Sequence, residues 1–293
     1  MAREFPILGA HMSIAGGYYK AVDAAAALGM TTCQIFTKNN NQWRAKIITE
    51  TEAVQFRSRV DELKIRHPLS HSSYLLNLAS PDKVLWQKSV DAFVVELNRA
   101  EQLGIPYVVI YPGAHMLASE EEGIANVVEA LNLVLRQTAK CCQVLLETTA
   151  GQGTSLGHRF EQLGSILARV SASSRVGICV DTCHIFAAGY PLGSRREYNA
   201  TMRAFDQCIG LDRIKAFHLN DSKRPLGSRV DRHEHIGRGH LGIEPFRHLL
   251  NDRRFRGVPM YLETPKGDEG GEALDAINLR TLRGLIAGAR QRA

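Results

Sequence analysis

The sequence predicts an α/β protein with the (β/α)8 TIM-barrel fold, formed as a single domain over residues 1–293. Short runs with β-strand propensity alternate with stretches of helical periodicity along the whole chain, which favours a parallel sheet joined by right-handed crossovers. Eight such runs are present, and a barrel of eight units typically takes about 250 residues. No Gly-rich dinucleotide fingerprint follows the first run, so a doubly wound open sheet is the weaker alternative.

Each predicted strand is a short run that ends at a polar or Gly-containing turn. The predicted strands are residues 7–11, 32–36, 69–71, 107–111, 144–147, 177–181, 214–218 and 260–263. The apolar residues between them recur with helical spacing. The clearest predicted helices are residues 18–28, 50–66, 83–103, 120–140 and 196–208, with a closing helix at 272–289.

Charge and cysteine content restrict the environment of the protein. The chain carries 36 Lys and Arg against 30 Asp and Glu, and this net charge of +6 is compatible with an anionic partner such as nucleic acid. No apolar run approaches the roughly 18 residues of a membrane span, and Pro6, Gly9 and His11 interrupt any signal-peptide core. Six cysteines, two of them adjacent, do not suggest a disulfide framework. We therefore expect a cytoplasmic protein that binds no membrane.

A TIM barrel carries its chemistry at the carboxyl ends of its strands. In chain order the predicted ends are His11, the turn at residues 37–39, His71, Tyr111, Glu147, Asp181, His218 and Glu263. His184 follows the sixth strand, and Asp231 and His233 lie in the long loop after the seventh. A single His or Asp at a strand end more often has a structural role. The fold, however, would gather at one mouth four carboxylates and four histidines: Glu147, Asp181, Asp231, Glu263, His71, His184, His218 and His233.

These side chains together predict a metal site. Four converging carboxylates repel one another unless cations or protons neutralise them. Mixed imidazole and carboxylate ligands suit zinc, and manganese or iron are alternatives. Eight ligands exceed the four of one tetrahedral ion, so we expect two or three ions, an arrangement suited to phosphoryl displacement.

Other local features carry less functional information. Cys179 and Cys183 flank Asp181, but without a CxxC pair they more simply pack in the core. The stretch at residues 221–240 contains five basic residues, Arg232 among them, beside the predicted ligands. Such residues are typical of phosphate-backbone contacts, although a solvated charged loop is the commoner explanation for this run alone.

Three longer motifs carry a family resemblance. They read His71-Ser-Ser-Tyr-Leu-Leu-Asn-Leu-Ala, Gly177-Ile-Cys-Val-Asp-Thr-Cys-His, and His218-Leu-Asn-Asp-Ser-Lys followed by Gly227-Ser-Arg-Val-Asp-Arg-His. Shorter matches are Gly9-Ala-His, Phe36-Thr-Lys-Asn, Glu147-Thr-Thr-Ala-Gly-Gln-Gly and Leu262-Glu-Thr. From Gly9 to Glu263 the chain resembles the endonuclease IV family, the apurinic/apyrimidinic endonucleases of DNA base-excision repair.

The resemblance implies a cluster of three zinc ions in the barrel mouth, with Glu147 bridging two of them. The implied ligands are His71, Glu147, Asp181, His184, His218, Asp231, His233 and Glu263. The implied reaction is hydrolysis of the phosphodiester 5′ to an abasic site in duplex DNA, together with trimming of blocked 3′ ends. A metal-bound hydroxide would attack the phosphorus, with Glu147 and Glu263 as the catalytic carboxylates. The resemblance also favours a monomer.

The resemblance further assigns DNA contacts. Tyr74 and Leu75 match a loop that enters the minor groove and helps to flip out the abasic nucleotide. In the loop after the second strand, Asn41 replaces the DNA-penetrating Arg of well-known members, and Lys38 lies in the same loop. Together with Arg232 near the metal ligands, these residues form the predicted DNA-binding set.

Position 111 departs from the family pattern. The family has His-Pro-Gly-Ser/Ala-His after the fourth strand, whereas this chain has Tyr111-Pro-Gly-Ala-His, so a phenol replaces a zinc-ligating imidazole. A phenol has a pKa of about 10 and ligates well only if the metal removes its proton. We expect two firmly held ions and a third that is labile, replaced or missing.

Two other functions remain open from the sequence. Related barrels that act as sugar isomerases or epimerases bind divalent metals at the same strand ends, and a fold alone does not fix the chemistry. The second ligand-bearing loop, with Asp231 and His233, favours the nuclease. A protein that binds abasic DNA but has lost hydrolysis through Tyr111 is the second alternative.

Overall fold

Within residues 6–139 and 141–287, which the computed structural model describes, eight parallel strands form a barrel. They are β1 (Leu8–Ala10), β2 (Gln34–Phe36), β3 (Leu69–His71), β4 (Tyr107–Ile110), β5 (Gln143–Glu147), β6 (Val176–Asp181), β7 (Ile214–Leu219) and β8 (Met260–Leu262). Neighbours pair in the order β1-β8-β7-β6-β5-β4-β3-β2. The circle closes where His11 and Gln34 form a parallel bridge. The predicted TIM-barrel fold is confirmed.

In these ranges nine α-helices surround the barrel. They are α1 (Tyr18–Ala27), α2 (Glu50–Glu62), α3 (Lys83–Gln102), α4 (Glu120–Gln137), α5 (Phe160–Arg169), α6 (Thr182–Ala188), α7 (Arg195–Cys208), α8 (Glu244–Leu250) and α9 (Leu274–Leu285). Helices α2, α4 and α7 begin with capping boxes, in which a Ser or Thr and a Glu three residues later bond each other's backbone N–H groups. The sequence did not predict α5, α6 and α8. The last two span seven residues each, too few for helical periodicity to show.

Several helix ends differ from the prediction. Helix α2 ends at Glu62 rather than at residue 66 because Lys64 has a φ value of 53°, which a right-handed helix does not allow. Helices α4 and α9 end at Gln137 and Leu285. The predicted last residues of these two helices, at positions 140 and 289, lie outside the described residues.

The interior of the barrel is filled by one apolar layer below the mouth. This layer contains Leu69, Val109, Leu145, Cys179, Ala216 and Tyr261, one from each strand from β3 to β8. Side chains alternate between the two faces of a strand, so the residue two positions further along points inward again, one layer higher. Those residues are His71, Tyr111, Glu147, Asp181, His218 and Glu263. The polar mouth therefore rests directly on a packed core, and Cys179 belongs to that core as predicted.

The loop after β7 is held in place by a short antiparallel ladder and by hydrogen bonds to Asp221. Asp221–Ser222 pairs antiparallel with His233–Glu234. The buried Asp221 carboxylate accepts hydrogen bonds from the backbone N–H groups of Ser222, Gly239 and Leu241. Asp231 and His233 therefore sit on a closed, anchored loop. A second short ladder joins Asp268–Glu269 to Glu272–Ala273.

All six cysteines lie in the described part of the chain and are free. Among the helices described there, none has the length and apolar character to cross a bilayer.

Candidate metal centre at the barrel mouth

The eight predicted ligands converge on the carboxyl ends of the strands. His71, Glu147, Asp181, His184 and His218 are buried, and their side chains form the floor of the mouth. Glu263 is 10% exposed, His233 is 17% exposed and Asp231 is 39% exposed, so these three form a rim that solvent reaches. The floor comes from barrel strands and helix α6, whereas Asp231 and His233 come from the anchored loop.

Glu147 occupies the centre of the floor. Its Oε2 lies 3.0 Å from His71 Nε2, and its Oε1 lies 2.9 Å from His218 Nδ1. The two oxygens of one carboxylate thus face histidines from opposite sides of the barrel, on β3 and β7. Each oxygen could therefore share a cation with a different histidine.

Two sets of side chains in the described part of the chain have the chemistry of a divalent-cation site. Glu147, Asp181, His218 and Glu263 form the first, and His184, Asp231 and His233 form the second, with ligand atoms within 4.8 Å of one another in each. In the second set His184 Nε2 lies 3.1 Å from Asp231 Oδ2, and His233 Nε2 lies 3.2 Å from Asp231 Oδ1. Mixed carboxylate and imidazole donors at this spacing fit zinc and related ions.

The thiol of Cys183 offers a third, overlapping combination with Asp181 and His233. The thiol also lies 3.7 Å from the Arg232 carbonyl oxygen, and burial raises its pKa to about 12. The Cys183 side chain is fully buried, which agrees with the packing role that the sequence predicts.

Within the cluster, charges and hydrogen bonds shift the pKa values of the side chains in the direction opposite to burial. Burial raises the pKa of Glu147, but the charge of His218 and hydrogen bonds from the histidines outweigh it and hold that pKa well below its ordinary value. Burial lowers the pKa of His233, and the charge of Asp181 and a hydrogen bond to Asp231 overcome this and raise it to about 9. Protons on the imidazoles therefore balance the buried carboxylates, and a cation would take the place of those protons.

Tyr111 lies where the sequence predicts, at the mouth beyond β4. Its ring centroid is 5.3 Å from that of His71 and 6.0 Å from that of His184. Within residues 6–139 and 141–287 its hydroxyl makes no hydrogen bond, and no cation-binding group of three His, Cys, Asp or Glu residues includes His71. Burial and the nearby carboxylates raise the pKa of Tyr111 well above 10, which disfavours the phenolate.

Four of the five predicted DNA-binding residues are exposed or partly buried, and the fifth, Lys38, is buried. Tyr74 is 51% exposed beside the metal ligands, and its ring stacks on that of Tyr111 at 6.0 Å. Asn41 and Arg232 are exposed, and Leu75 is partly buried. Tyr74, Tyr111 and Asp231 line a cavity of about 350 Å³ that opens from the mouth.

Lys38 has a different role from the predicted DNA contact. It is buried, its ammonium donates to the Gln42 carbonyl oxygen at 2.6 Å, and it lies 3.5 Å from Glu96 Oε1. A buried, paired ammonium does not reach a phosphate. The motif indicated a loop near DNA, but it does not determine where a long side chain of that loop points.

Two polar residues that sequence reasoning missed also contact the cluster. Gln34 Nε2 lies 2.5 Å from Glu263 Oε1, and Gln34 Oε1 lies 2.7 Å from His218 Nε2. Asn220 donates to Asp181 Oδ2 at 2.6 Å and accepts from the Glu263 backbone N–H at 3.0 Å. The sequence does contain one indication for Gln34. Strand alternation points its side chain into the barrel from β2, where the other residues of the lower layer are apolar.

Comparisons with known proteins agree on the fold. A family model described as xylose isomerase-like TIM barrel matches residues 22–283. The structure of D-psicose 3-epimerase from Clostridium cellulolyticum has a TM-score of 0.66 at 14% identity and covers 98% of this chain and 97% of that chain. At this identity the similarity concerns the fold alone.

Other similarities are much closer in sequence. A protein named "Probable endonuclease 4" from Geobacter sulfurreducens is 51% identical over 280 residues, which are 95% of this chain and 94% of that protein. The crystal structure of endonuclease IV from Thermus thermophilus has a TM-score of 0.84 at 37% identity and covers 96% of this chain and 98% of that chain. The chain therefore belongs to the endonuclease IV family.

Proposed function

We propose that this protein is a divalent-metal nuclease that hydrolyses the phosphodiester 5′ to abasic sites in duplex DNA and trims blocked 3′ ends. The observation that carries the proposal is the position of two cation-binding sets directly beside an exposed aromatic side chain and an open cavity. A nucleotide without its base is the one that leaves a duplex stack at least cost. The cavity beside Tyr74 and Tyr111 is where we expect that nucleotide.

The proposed cofactor is zinc, with manganese or iron as alternatives. Bound cations of this kind stabilise charge on phosphoryl oxygens and activate water. We propose two firmly held ions, on the sets that contain His218 and His184. A third ion beside His71 and Glu147 would be weakly held, because neutral Tyr111 supplies no charge and His71 joins no larger ligand group in the described ranges.

The residues around these ions have distinct tasks in the proposed reaction. Glu147 holds the floor together by facing His71 and His218 at once. Glu263 lies on the rim, where its carboxylate can accept a proton from the attacking water. Arg232 and its exposed basic neighbours on the anchored loop would contact phosphates of the backbone.

The first alternative, a sugar epimerase, has the fold in its favour, since epimerases are among the structural neighbours. Asp231 and His233 speak against it. They add a second cation-binding set to the one formed by the barrel strands, and a single small sugar does not need two such sets. The second alternative, a protein that binds abasic DNA without cutting it, differs in the outcome of a cleavage assay.

The test is incubation of the metal-loaded protein with a duplex that contains one abasic site. We expect incision 5′ to that site with a free 3′-hydroxyl product, loss of incision after chelation, and no incision of the undamaged duplex. Binding without incision would support the damage binder, and epimerisation of a ketohexose would support the sugar enzyme. Removal of a phosphate from a recessed 3′ end tests the trimming activity.

We also propose that the protein is a monomer in the cytoplasm. Light scattering tests the oligomeric state, and we expect a mass of 32.4 kDa.

A further inference from the structure

The side chain of Gln34 joins three polar side chains of the barrel mouth. Gln34 is completely buried at the start of β2. Its Nε2 lies 2.5 Å from Glu263 Oε1 and 2.8 Å from His11 Nδ1, and its Oε1 lies 2.7 Å from His218 Nε2. One amide thus spans the barrel from β2 to β7 and β8.

The hydrogen-bonding capacity of the partners fixes the orientation of this amide. An ionised Glu263 carboxylate can only accept, so the NH2 end of Gln34 must face it. The same NH2 end lies 2.8 Å from His11 Nδ1, and because an amide nitrogen only donates, that Nδ1 accepts its second hydrogen. The carbonyl oxygen of Gln34 then faces His218, and Nε2 of that ring must carry the proton.

This proton position decides which nitrogen of His218 is available to a cation. With Nε2 protonated, Nδ1 is free, and it lies 2.9 Å from Glu147 Oε1 and 3.2 Å from Glu263 Oε2. Nδ1 is therefore the atom that belongs to the first cation-binding set. Rotation of the ring would turn the protonated nitrogen into the cluster.

The other three histidines of the site are oriented differently. Their Nδ1 atoms donate to backbone carbonyl oxygens and leave Nε2 facing the cluster. The acceptors are Ser72 O for His71 at 2.8 Å, Thr148 O for His184 at 2.8 Å, and Glu263 O for His233 at 3.2 Å. His218 presents the opposite nitrogen, and its orienting partner is a side chain. A substitution can remove that partner without changing the backbone.

We infer that Gln34 is a positioning residue of the metal centre, which sets the ring orientation of His218 and holds Glu263 beside it. The inference rests on the proposed cation site. Partners that orient a ligating histidine typically change metal affinity by about 10–100-fold when they are removed. Gln34 contacts two ligands of the same set, His218 and Glu263, and contacts neither His184 nor Asp231.

The test compares Gln34→Met with the unmodified protein. Zinc affinity is measured by competition with a chromophoric chelator, and cobalt is substituted so that its visible absorption bands report the ligand geometry. We expect affinity for one ion to fall about 10–100-fold, with the cobalt bands altered and the ion held by His184, Asp231 and His233 unaffected. Gln143→Met is the matched control, because Gln143 lies at the opposite, amino-terminal end of β5 and donates to Ser174 O. It should leave both readouts unchanged.

Two further variants make the result decisive. Gln34→Asn keeps a buried amide but shortens its reach, so it should lower zinc affinity in the same way and serves if Gln34→Met does not fold. In a His218→Asn background, Gln34→Met should have a much smaller effect on zinc affinity, because the two residues act together. A folded variant with wild-type zinc affinity and wild-type cobalt bands would overturn the inference, even if its melting temperature were lower.

These readouts separate the inference from the proposed activity. If the unmodified protein binds neither zinc nor cobalt, the cation site and the role of Gln34 both fail. If ions bind and respond to Gln34→Met but abasic DNA is not cut, the role of Gln34 stands and the proposed function fails.

Discussion

Because position 111 is a tyrosine, His71 has Glu147 as its nearest neighbour that could bind the same cation. We predict that Tyr111→His raises both the zinc retained per chain after dialysis and the rate of abasic-site cleavage, because a neutral imidazole nitrogen binds zinc well whereas a neutral phenol oxygen is a weak ligand. Tyr111→Phe is the control, and it should leave zinc content unchanged, since it removes only the hydroxyl. Three equivalents of zinc in the unmodified protein, with no gain from Tyr111→His, would contradict a weakened third site.

Glu147 is the residue whose loss should matter most. Its two oxygens face different histidines, so Glu147→Gln would weaken two cation positions together. Metal-ion catalysis supplies several kcal/mol of stabilisation in the transition state, so we expect a loss of about three orders of magnitude in cleavage rate and a lower zinc content. Glu121→Gln removes an exposed partner of Arg169 and should not change the rate. A nearly normal rate for Glu147→Gln would rule out the proposed bridging role.

At the level of elements, the loop between β3 and α3 presents Tyr74 and Leu75 beside the metal ligands. The double variant Tyr74→Ala, Leu75→Ala should keep its zinc but bind abasic duplex about tenfold or more weakly, because stacking on an aromatic side chain contributes roughly 1–3 kcal/mol per base. Val95→Ala, on the exposed face of α3, is the control. If the double variant only loses thermal stability while its affinity is unchanged, the two residues pack and do not contact DNA.

A buried ion pair links this loop to the loop after β2. Glu96 of α3 accepts from the Ser73 backbone N–H at 3.0 Å and pairs with Lys38, while Ser73 Oγ donates to Asn40 O at 2.5 Å. Removing one partner of a buried pair costs about 3–5 kcal/mol, so Glu96→Gln should lower the free energy of unfolding by several kcal/mol and weaken DNA binding. Glu50→Gln, in an exposed pair with Arg57, should cost less than about 1 kcal/mol. If urea denaturation gives the two variants equal losses in the free energy of unfolding, the Lys38–Glu96 pair does not stabilise the contact between the two loops.

For the molecule as a whole, the sequence predicts the barrel and the ligands at the strand ends because parallel strands bring their carboxyl ends to one mouth, whereas His184, Asp231 and His233 lie in the segments that follow strands. Strand alternation places an inward residue two positions beyond each residue of the apolar inner layer, so Leu145 predicts Glu147 at the mouth and Ala216 predicts His218. The orientation of Lys38 was not predicted because its ion-pair partner Glu96 lies on α3, and Gln34 and Asn220 were missed because their partners lie on other strands and loops. Their contacts depend on the stagger of the strands around the barrel and on loop paths, which no local pattern encodes.

The same convergence leads us to expect that bound cations stabilise the fold. Glu147, Asp181 and Glu263 lie at strand ends of one closed barrel, and without cations only protons on the neighbouring histidines offset their mutual repulsion. A cation that binds the folded chain stabilises it by about 2.7 kcal/mol when the free ion is a hundredfold above its dissociation constant. We therefore predict that zinc raises the melting temperature of chelator-treated protein by several degrees, and that Glu147→Gln shows a smaller rise. Glu121→Gln should respond like the unmodified chain. A melting temperature that zinc leaves unchanged would mean that the mouth holds no cation tightly.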